Sequence, residues 1–255
     1  GTFAVEKGDY LYFVNGIGNM TGDNTMGKVE KGALYRVKIA DIGTEAAEYQ
    51  LVIPKLMNTA SANSGVYIFG DIVYYGTPYD GKDKTSTIRS DFTDFRTFDL
   101  GTAKSKRILF ETKTVKSYSF IEVGSNVYLT YETTHTEDDA TVNTYKVYNA
   151  KTGKEVFSVD GYKNLLADTK SGKVFYSKLA YNEQLEQDEV FDEIYYYNVG
   201  ETNSELLFSG CGSNGSGYDN RADESYQKKV LPYADFSGLT VTLIKNTGKL
   251  FISIP

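Results

Sequence analysis

Two turn signals recur along this chain in step with each other, and that coincidence limits its folds more than any other feature. The first is an Asp or Asn that closes a strand-like run: KIADIGTEA (38–46), TFDLGTAKS (97–105), VYNAKTGKE (147–155) and YYNVGETNS (196–204). Asp41, Asp99, Asn149 and Asn198 are separated by 58, 50 and 49 residues. The second is a glycine ahead of an aromatic run: KGDYLYF (7–13), FGDIVYY (69–75), VGSNVYL (123–129) and KSGKVFY (170–176), with a fifth copy in NTGKLFI (246–252). Two signals that keep step over about 50 residues predict a repeat, in the range of propeller blades and arrays.

Each unit resolves into four strand-like runs, with Gly in the short turns where φ > 0 is needed. The runs LYRVKI, FRTFDL, TYKVYN and EIYYYN come third, and YQLVI, RILFE, EVFSV and ELLFS fourth. The second runs, residues 10–14, 72–75 and 127–129, are nearly continuous in apolar and aromatic residues. Continuous runs predict burial on both faces, whereas a two-sheet sandwich leaves one face wet and alternates. The expected fold is therefore all-β: a β-propeller of four-stranded antiparallel blades, four complete and a partial fifth. One domain over 1–255 would hold repeats at about 1–56, 57–113, 114–161 and 162–217, with a partial one at 218–255. The last unit stops after two strands, and truncation of a longer protein is the simpler expectation.

The pattern GDYLYF, then LYRVKIADIG, then a short return strand resembles a bacterial propeller family of unknown function related to the lipoprotein-receptor YWTD propellers. NAKTGKEVF is also similar to the quinoprotein-type propeller repeat. The chain has no Trp and no intact YWTD motif, so the resemblance implies the fold and no ligand.

Composition excludes several functions. A net charge of −7 argues against nucleic acid, because phosphate binding needs clustered Lys and Arg. No apolar run approaches the roughly 20 residues of a membrane helix. One cysteine, Cys211, rules out an internal disulfide framework and a cysteine-based zinc site. It lies in SGCGSNGSG (209–217), where no cation flanks it to activate a thiol, and the stretch lacks the Lys of a phosphate loop.

Long connections between second and third strands are expected at 15–32, 77–91, 132–143 and 181–193, gathered on one rim, the usual place for binding on a rigid scaffold. The first two are charge-balanced, whereas 132–143 carries −4 and 181–193 carries −6. Such a rim is a solvated surface, a field that attracts a basic partner, or a calcium site. The last lacks the spaced D-x-D-x-D-G ligand pattern. The acids singled out are Asp80, Asp138, Asp139, Glu186, Asp188 and Glu189. Tyr79, Tyr131 and Tyr181 stand at strand ends beside these loops, placed for an interface or for packing over a blade edge.

His135, the only histidine, has no nucleophile elbow near it, so no catalytic residue, metal set or cofactor is expected. The reading is a non-catalytic binding or scaffold module of a bacterial surface or secreted protein. Its partner would be a protein or glycan on the long-loop face, basic where the acidic loops attract it. The alternatives are a carbohydrate-active hydrolase using paired rim carboxylates, and a purely structural element of a longer surface protein.

Overall fold

The computed structural model describes residues 4–15, 32–54, 65–78, 92–181, 190–212, 240–244 and 247–253, with backbone alone at 179–181, 190–192, 208–212, 240–243 and 250–253. Among the described residues, eighteen strands make up four four-stranded sheets and one two-stranded sheet. The first sheet is β1 (Ala4–Lys7), β2 (Tyr10–Val14), β3 (Leu34–Lys38) and β4 (Gln50–Ile53). The second is β5 (Tyr67–Phe69), β6 (Ile72–Thr77), β7 (Thr93–Asp99) and β8 (Lys104–Glu111). The third is β9 (Val115–Val123), β10 (Asn126–Glu137), β11 (Ala140–Asn149) and β12 (Lys154–Asp160). The fourth is β13 (Asn164–Asp168), β14 (Lys173–Tyr181), β15 (Val190–Asn198) and β16 (Glu205–Gly212). β17 (Thr240–Ile244) and β18 (Lys249–Ser253) pair as the fifth. In every sheet the strands lie side by side in chain order and run antiparallel, which is the meander of a propeller blade.

Packing between the sheets makes this a β-propeller. Tyr12, Val14, Leu34 and Ile53 of the first sheet meet Val66, Val73 and Tyr75 of the second. Phe95 of the second meets Tyr118, Phe120, Leu129 and Tyr131 of the third. On its other side the third sheet presents Ile121, Tyr145, Val147, Phe157 and Val159 to Val174, Tyr176 and Tyr197 of the fourth. The second and third sheets are thus covered on both faces, as continuous apolar runs require. The first strands of neighbouring sheets approach each other, β1 to β5 and β13 to β17. No helix among the described residues is long and apolar enough to cross a membrane.

Both turn signals have a backbone cause. Gly8, Gly70 and Gly124 open two-residue turns at φ 56°, 56° and 61°, and Gly172 and Gly248 close longer ones at 70° and 62°. A side chain at these values is strained, so glycine recurs there. At the other signal, Asp99 Oδ1 accepts from the backbone N–H of Gly101 and Thr102, and Asn149 Oδ1 accepts from Lys151 and Thr152. A short side-chain carbonyl caps the turn locally, as Asp and Asn do best. Asp41 and Asn198 hold their turns through backbone carbonyls instead, accepting from Thr44 and Glu201.

The same turns link neighbouring sheets. Lys7 donates to the Gly70 carbonyl and pairs with Asp71 at 2.8 Å. Asp168, 4% exposed, caps its own turn through Lys170 N–H and Ser171 N–H, while its second oxygen accepts from Gly248 N–H at 2.8 Å. One carboxylate therefore ties the fourth sheet to the fifth. Burial alone would raise the Asp168 carboxyl, but the N–H groups of Gly248, Ser171 and Lys170 prevail and hold it below the ordinary Asp value.

The third and fourth inter-strand connections depart from expectation. Residues 132–143 do not form a loop: β10 and β11 stay paired out to Glu137 and Ala140 around a two-residue turn. Thr133, Thr134, Thr136, Thr141 and Val142 are β-branched and prefer extended backbone, which outweighs the polar composition of the segment. β14 and β15 likewise remain paired to Tyr181 and Val190, so the fourth connection is shorter than 181–193.

Two tests follow from this packing. A Cβ on Gly76 would sit 2.9 Å from Thr93 Cγ2 and 3.2 Å from Tyr118 Cε1. Gly76→Ala should lower stability in urea unfolding by about 1–3 kcal/mol, the usual cost of overpacking. Asp168→Asn keeps the acceptor but loses the charge, and should cost about 1 kcal/mol at neutral pH. Because the native Asp168 value lies below the unfolded one, its stabilisation is complete above about pH 4 and lost as pH falls through the native value. The difference between Asp168→Asn and the parent should therefore shrink at about pH 3, read from urea midpoints.

Candidate functional site

The β10–β11 extension is the longest paired element among the described residues, a ribbon of 12 and 10 residues. Its turn is Asp138–Asp139, with φ 47° and 63°. Both values are positive, the type I′ arrangement that Asn-Gly fills with least strain. Asp138 stands where Asp is accepted, but Asp139 fills the position that glycine usually takes, and the two adjacent carboxylates after Glu137 repel one another. Residues 136–141 are exposed, so the ribbon carries three carboxylates out on the long-loop rim.

His135 lies on this ribbon, paired across from Val142. Its Nδ1 is 3.3 Å from Thr144 Oγ1, and its Nε2 is 3.8 Å from Glu137 Oε2. The base of the ribbon is anchored on its neighbours. Lys116 donates to Asn143 Oδ1 at 2.7 Å, and Gly161 N–H donates to the Asn143 carbonyl at 2.9 Å.

Tyr131 is not an interface residue. It is 1% exposed, stacks on Tyr148 at 5.8 Å and donates its hydroxyl to Glu111 Oε2 at 2.7 Å. The reason appears when the sheets are aligned by an equivalent backbone bond. Ile39 N–H bonds to Asp9 O, Leu100 to Asp71, Ala150 to Val127 and Val199 to Gly172. Counting four residues on from each acceptor gives Phe13, Tyr75, Tyr131 and Tyr176: a ring at one position in each of the four four-stranded sheets. Three of the four are buried.

Tyr181 forms the last backbone pair of its hairpin, with Val190. Tyr79, Asp80, Glu186, Asp188 and Glu189 lie outside the described residues. Cys211 pairs by backbone with Asp192 in β16, within a strand rather than a connector.

The structure brings forward three carboxylates that the sequence reading did not single out. Asp94, its side chain 0% exposed, accepts from Arg107 Nε at 2.8 Å and Nη2 at 3.0 Å, and from Arg96 Nη1 at 2.9 Å. Glu111 accepts from Tyr131 and from Lys113 N–H, with Lys146 Nζ 3.9 Å away. Glu132 accepts from Ser117 Oγ at 2.7 Å and from the Tyr162 hydroxyl. Burial, reinforced by the neighbouring carboxylate, pushes the Tyr131 and Tyr162 hydroxyls up, so both remain donors. Burial and Glu155 push Tyr148 up to about 12. The Asp94–Arg96 spacing, with Arg107 opposite Arg96, was a readable cross-strand signal.

These acids are acceptors with their donors in place. Tyr131 and Glu132 are consecutive on β10, so the Glu111 contact and Glu132 lie on opposite faces of the third sheet. They do not form the facing pair that glycoside hydrolysis uses. Among the described residues no group of three or more His, Cys, Asp or Glu is placed to hold a metal ion.

No protein-family model matches the chain, and no curated protein matches it. Solved structures similar to it include an uncharacterised Listeria monocytogenes protein, at 12% identity and TM-score 0.36 over 60% of this chain and 41% of that one. Another is the Pyrococcus horikoshii acylaminoacyl peptidase, at 10% identity and TM-score 0.46, covering 81% and 32% of the two chains. A third is the β-propeller domain of the Trilobed protease from Pyrococcus furiosus, at 15% identity and TM-score 0.44, covering 99% and 76%. The chain spans about two fifths of the first of these proteins and a third of the second. Sheet order and two-sided burial, rather than these likenesses, carry the fold assignment.

Replacing Asp139 by Gly should relieve the left-handed strain and stabilise the ribbon by about 1 kcal/mol. Amide exchange across the 132–143 segment should slow in that variant. Unchanged exchange would mean the turn holds no strain.

Proposed function

We propose that the chain is a non-catalytic binding or scaffold module whose partner docks on the long-loop rim, and that the partner surface is basic. The observation that supports this best is the ribbon: a stiff, anchored pair of strands holding Glu137, Asp138 and Asp139 clear of the body. A preorganised element loses little entropy on docking, so its charges are well used for steering and registering a partner. Asp94, Glu111 and Glu132 do not serve the hydrolase alternative, which calls on rim acids, because arginine, tyrosine, serine and backbone donors engage them. An acid that exchanges protons with substrate needs that capacity free. A bacterial surface or secreted location, and kinship with the YWTD-type propellers, belong to this proposal and rest on the repeat pattern.

The test is calorimetric titration of a Lys/Arg-rich dodecapeptide at low salt. Exposed charge pairs contribute about 0.2–1 kcal/mol each, so neutralising Glu137, Asp138 and Asp139 together should weaken binding by roughly tenfold. Adding Glu186→Gln, Asp188→Asn and Glu189→Gln should weaken it further. Affinity that ignores both sets of substitutions would overturn the basic-partner reading.

A further inference from the structure

The one histidine of the sequence stands within the acidic ribbon, and its surroundings give that position a consequence. Its side chain is 29% exposed and that of Glu137 is 69% exposed, so the imidazole is reachable by protons while the carboxylate remains open to a partner. On its own strand the charged group beside it is Glu137, at 3.8 Å. On β11 it meets the neutral Thr144, and further along the same face lies Lys146. Lys146 pairs with Glu111 of the second sheet, which also takes the Tyr131 hydroxyl. Those two charges are matched to each other at the ribbon's base, and Glu137 is the carboxylate to which His135 is matched. The segment 79–91 of the second sheet's rim lies outside the described residues.

We propose that His135 is a proton-operated charge switch for the ribbon, weakening its hold on a basic partner as pH falls. The proposal rests on the basic-partner reading above and names its regulation. An imidazole gains one proton on passing from about pH 7.5 to about pH 5.5. Neutral His135 leaves Glu137, Asp138 and Asp139 with three uncompensated negative charges. The imidazolium donates from both nitrogens, to Thr144 Oγ1 and towards Glu137, and so bridges β11 to β10 and draws Glu137 into an internal pair. The ribbon then offers a partner one net negative charge fewer and one carboxylate already engaged. No other imidazole is present in the sequence, and comparison with His135→Gln separates its contribution from that of an α-amino group, which also gains charge in this interval.

Two measurements test it. The first is the affinity of the Lys/Arg-rich dodecapeptide at about pH 7.5 and about pH 5.5, for the parent chain and for His135→Gln. Loss of one or two exposed charge contacts should weaken parent binding roughly threefold to tenfold at the lower pH, while His135→Gln stays within about twofold. A His135→Gln protein that keeps the parent's pH dependence would overturn the switch, as would a parent whose affinity does not fall at the lower pH.

The second is the imidazole Nε2 resonance in the parent and in Glu137→Gln. The substitution should move that signal at the lower pH, where the charged pair exists, and leave it nearly unmoved at the higher. An Nε2 signal indifferent to Glu137 at both values would also overturn the proposal. If the peptide fails to bind the parent at about pH 7.5, the basic-partner reading falls, and the resonance alone decides whether His135 and Glu137 are coupled.

Discussion

Burial of the second strands β6, β10 and β14 on both faces is the constraint from which the rest of this structure follows. Val73, Leu129 and Val174 occupy equivalent positions and are wholly enclosed, and the aromatic position two residues on is filled by Phe13, Tyr75, Tyr131 and Tyr176. A strand clothed on both sides cannot belong to an isolated sheet or to the outer layer of a sandwich. It needs a neighbouring sheet on either hand, and successive sheets of one chain supply that by stacking in order. Each enclosed ring contributes about 1.5–3 kcal/mol, so the sheets are held together chiefly by their second and third strands. The outer strands β4 and β8 bury far less.

Enclosing tyrosines in this way creates a need for acceptors, and the acceptors are the carboxylates that composition alone suggests as functional. Tyr131 takes Glu111, and Tyr162 takes Glu132. Tyr118 instead reaches into the second sheet, donating to the Gly65 carbonyl and accepting from Gly76 N–H. Gly76 has no side chain because that ring passes against it. The surface acidity of the chain and its internal acids thus have different causes. Glu111 and Glu132 accept from enclosed hydroxyls, and the buried Asp94 is itself satisfied by two guanidinium groups that reach towards solvent. Acids at the ribbon tip are exposed, and among the described residues the cationic partner within reach is His135, beside Glu137.

The architecture was legible because its markers are backbone requirements. A left-handed φ at Gly8, Gly70, Gly124, Gly172 and Gly248, and local capping by Asp99 and Asn149, survive great divergence in everything around them. The ribbon was not legible. Its Thr, Glu and Asp residues look like a loop by polarity, and only pairing with a partner strand reveals that threonine's extended preference decides the matter. Tyr131 was misplaced for a related reason. The third sheet's first hairpin is two residue pairs longer than that of the second, as the Gly124 turn shows when counted back from the Val127 carbonyl. A slip of two preserves which face each side chain meets, so the fold tolerates it without repacking. A reader counting from the glycine, however, arrives at the wrong depth.

That slip bears on why the third blade carries the ribbon at all. Lengthening a hairpin in steps of two keeps every buried side chain on its proper face, so growth at either end of a blade leaves the packing against neighbours unchanged. The third sheet has grown at both ends: past Glu132 on the rim, and by two pairs at the Gly124 turn. Growth at the turn adds exposed residues such as Glu122 and Val123. Growth at the rim adds a strained pair of aspartates and the chain's one imidazole, a combination that stability does not favour. The left-handed backbone and like charge of the tip thus lie beyond the packed part of the sheet, which is why the ribbon can extend without disturbing the contacts below it.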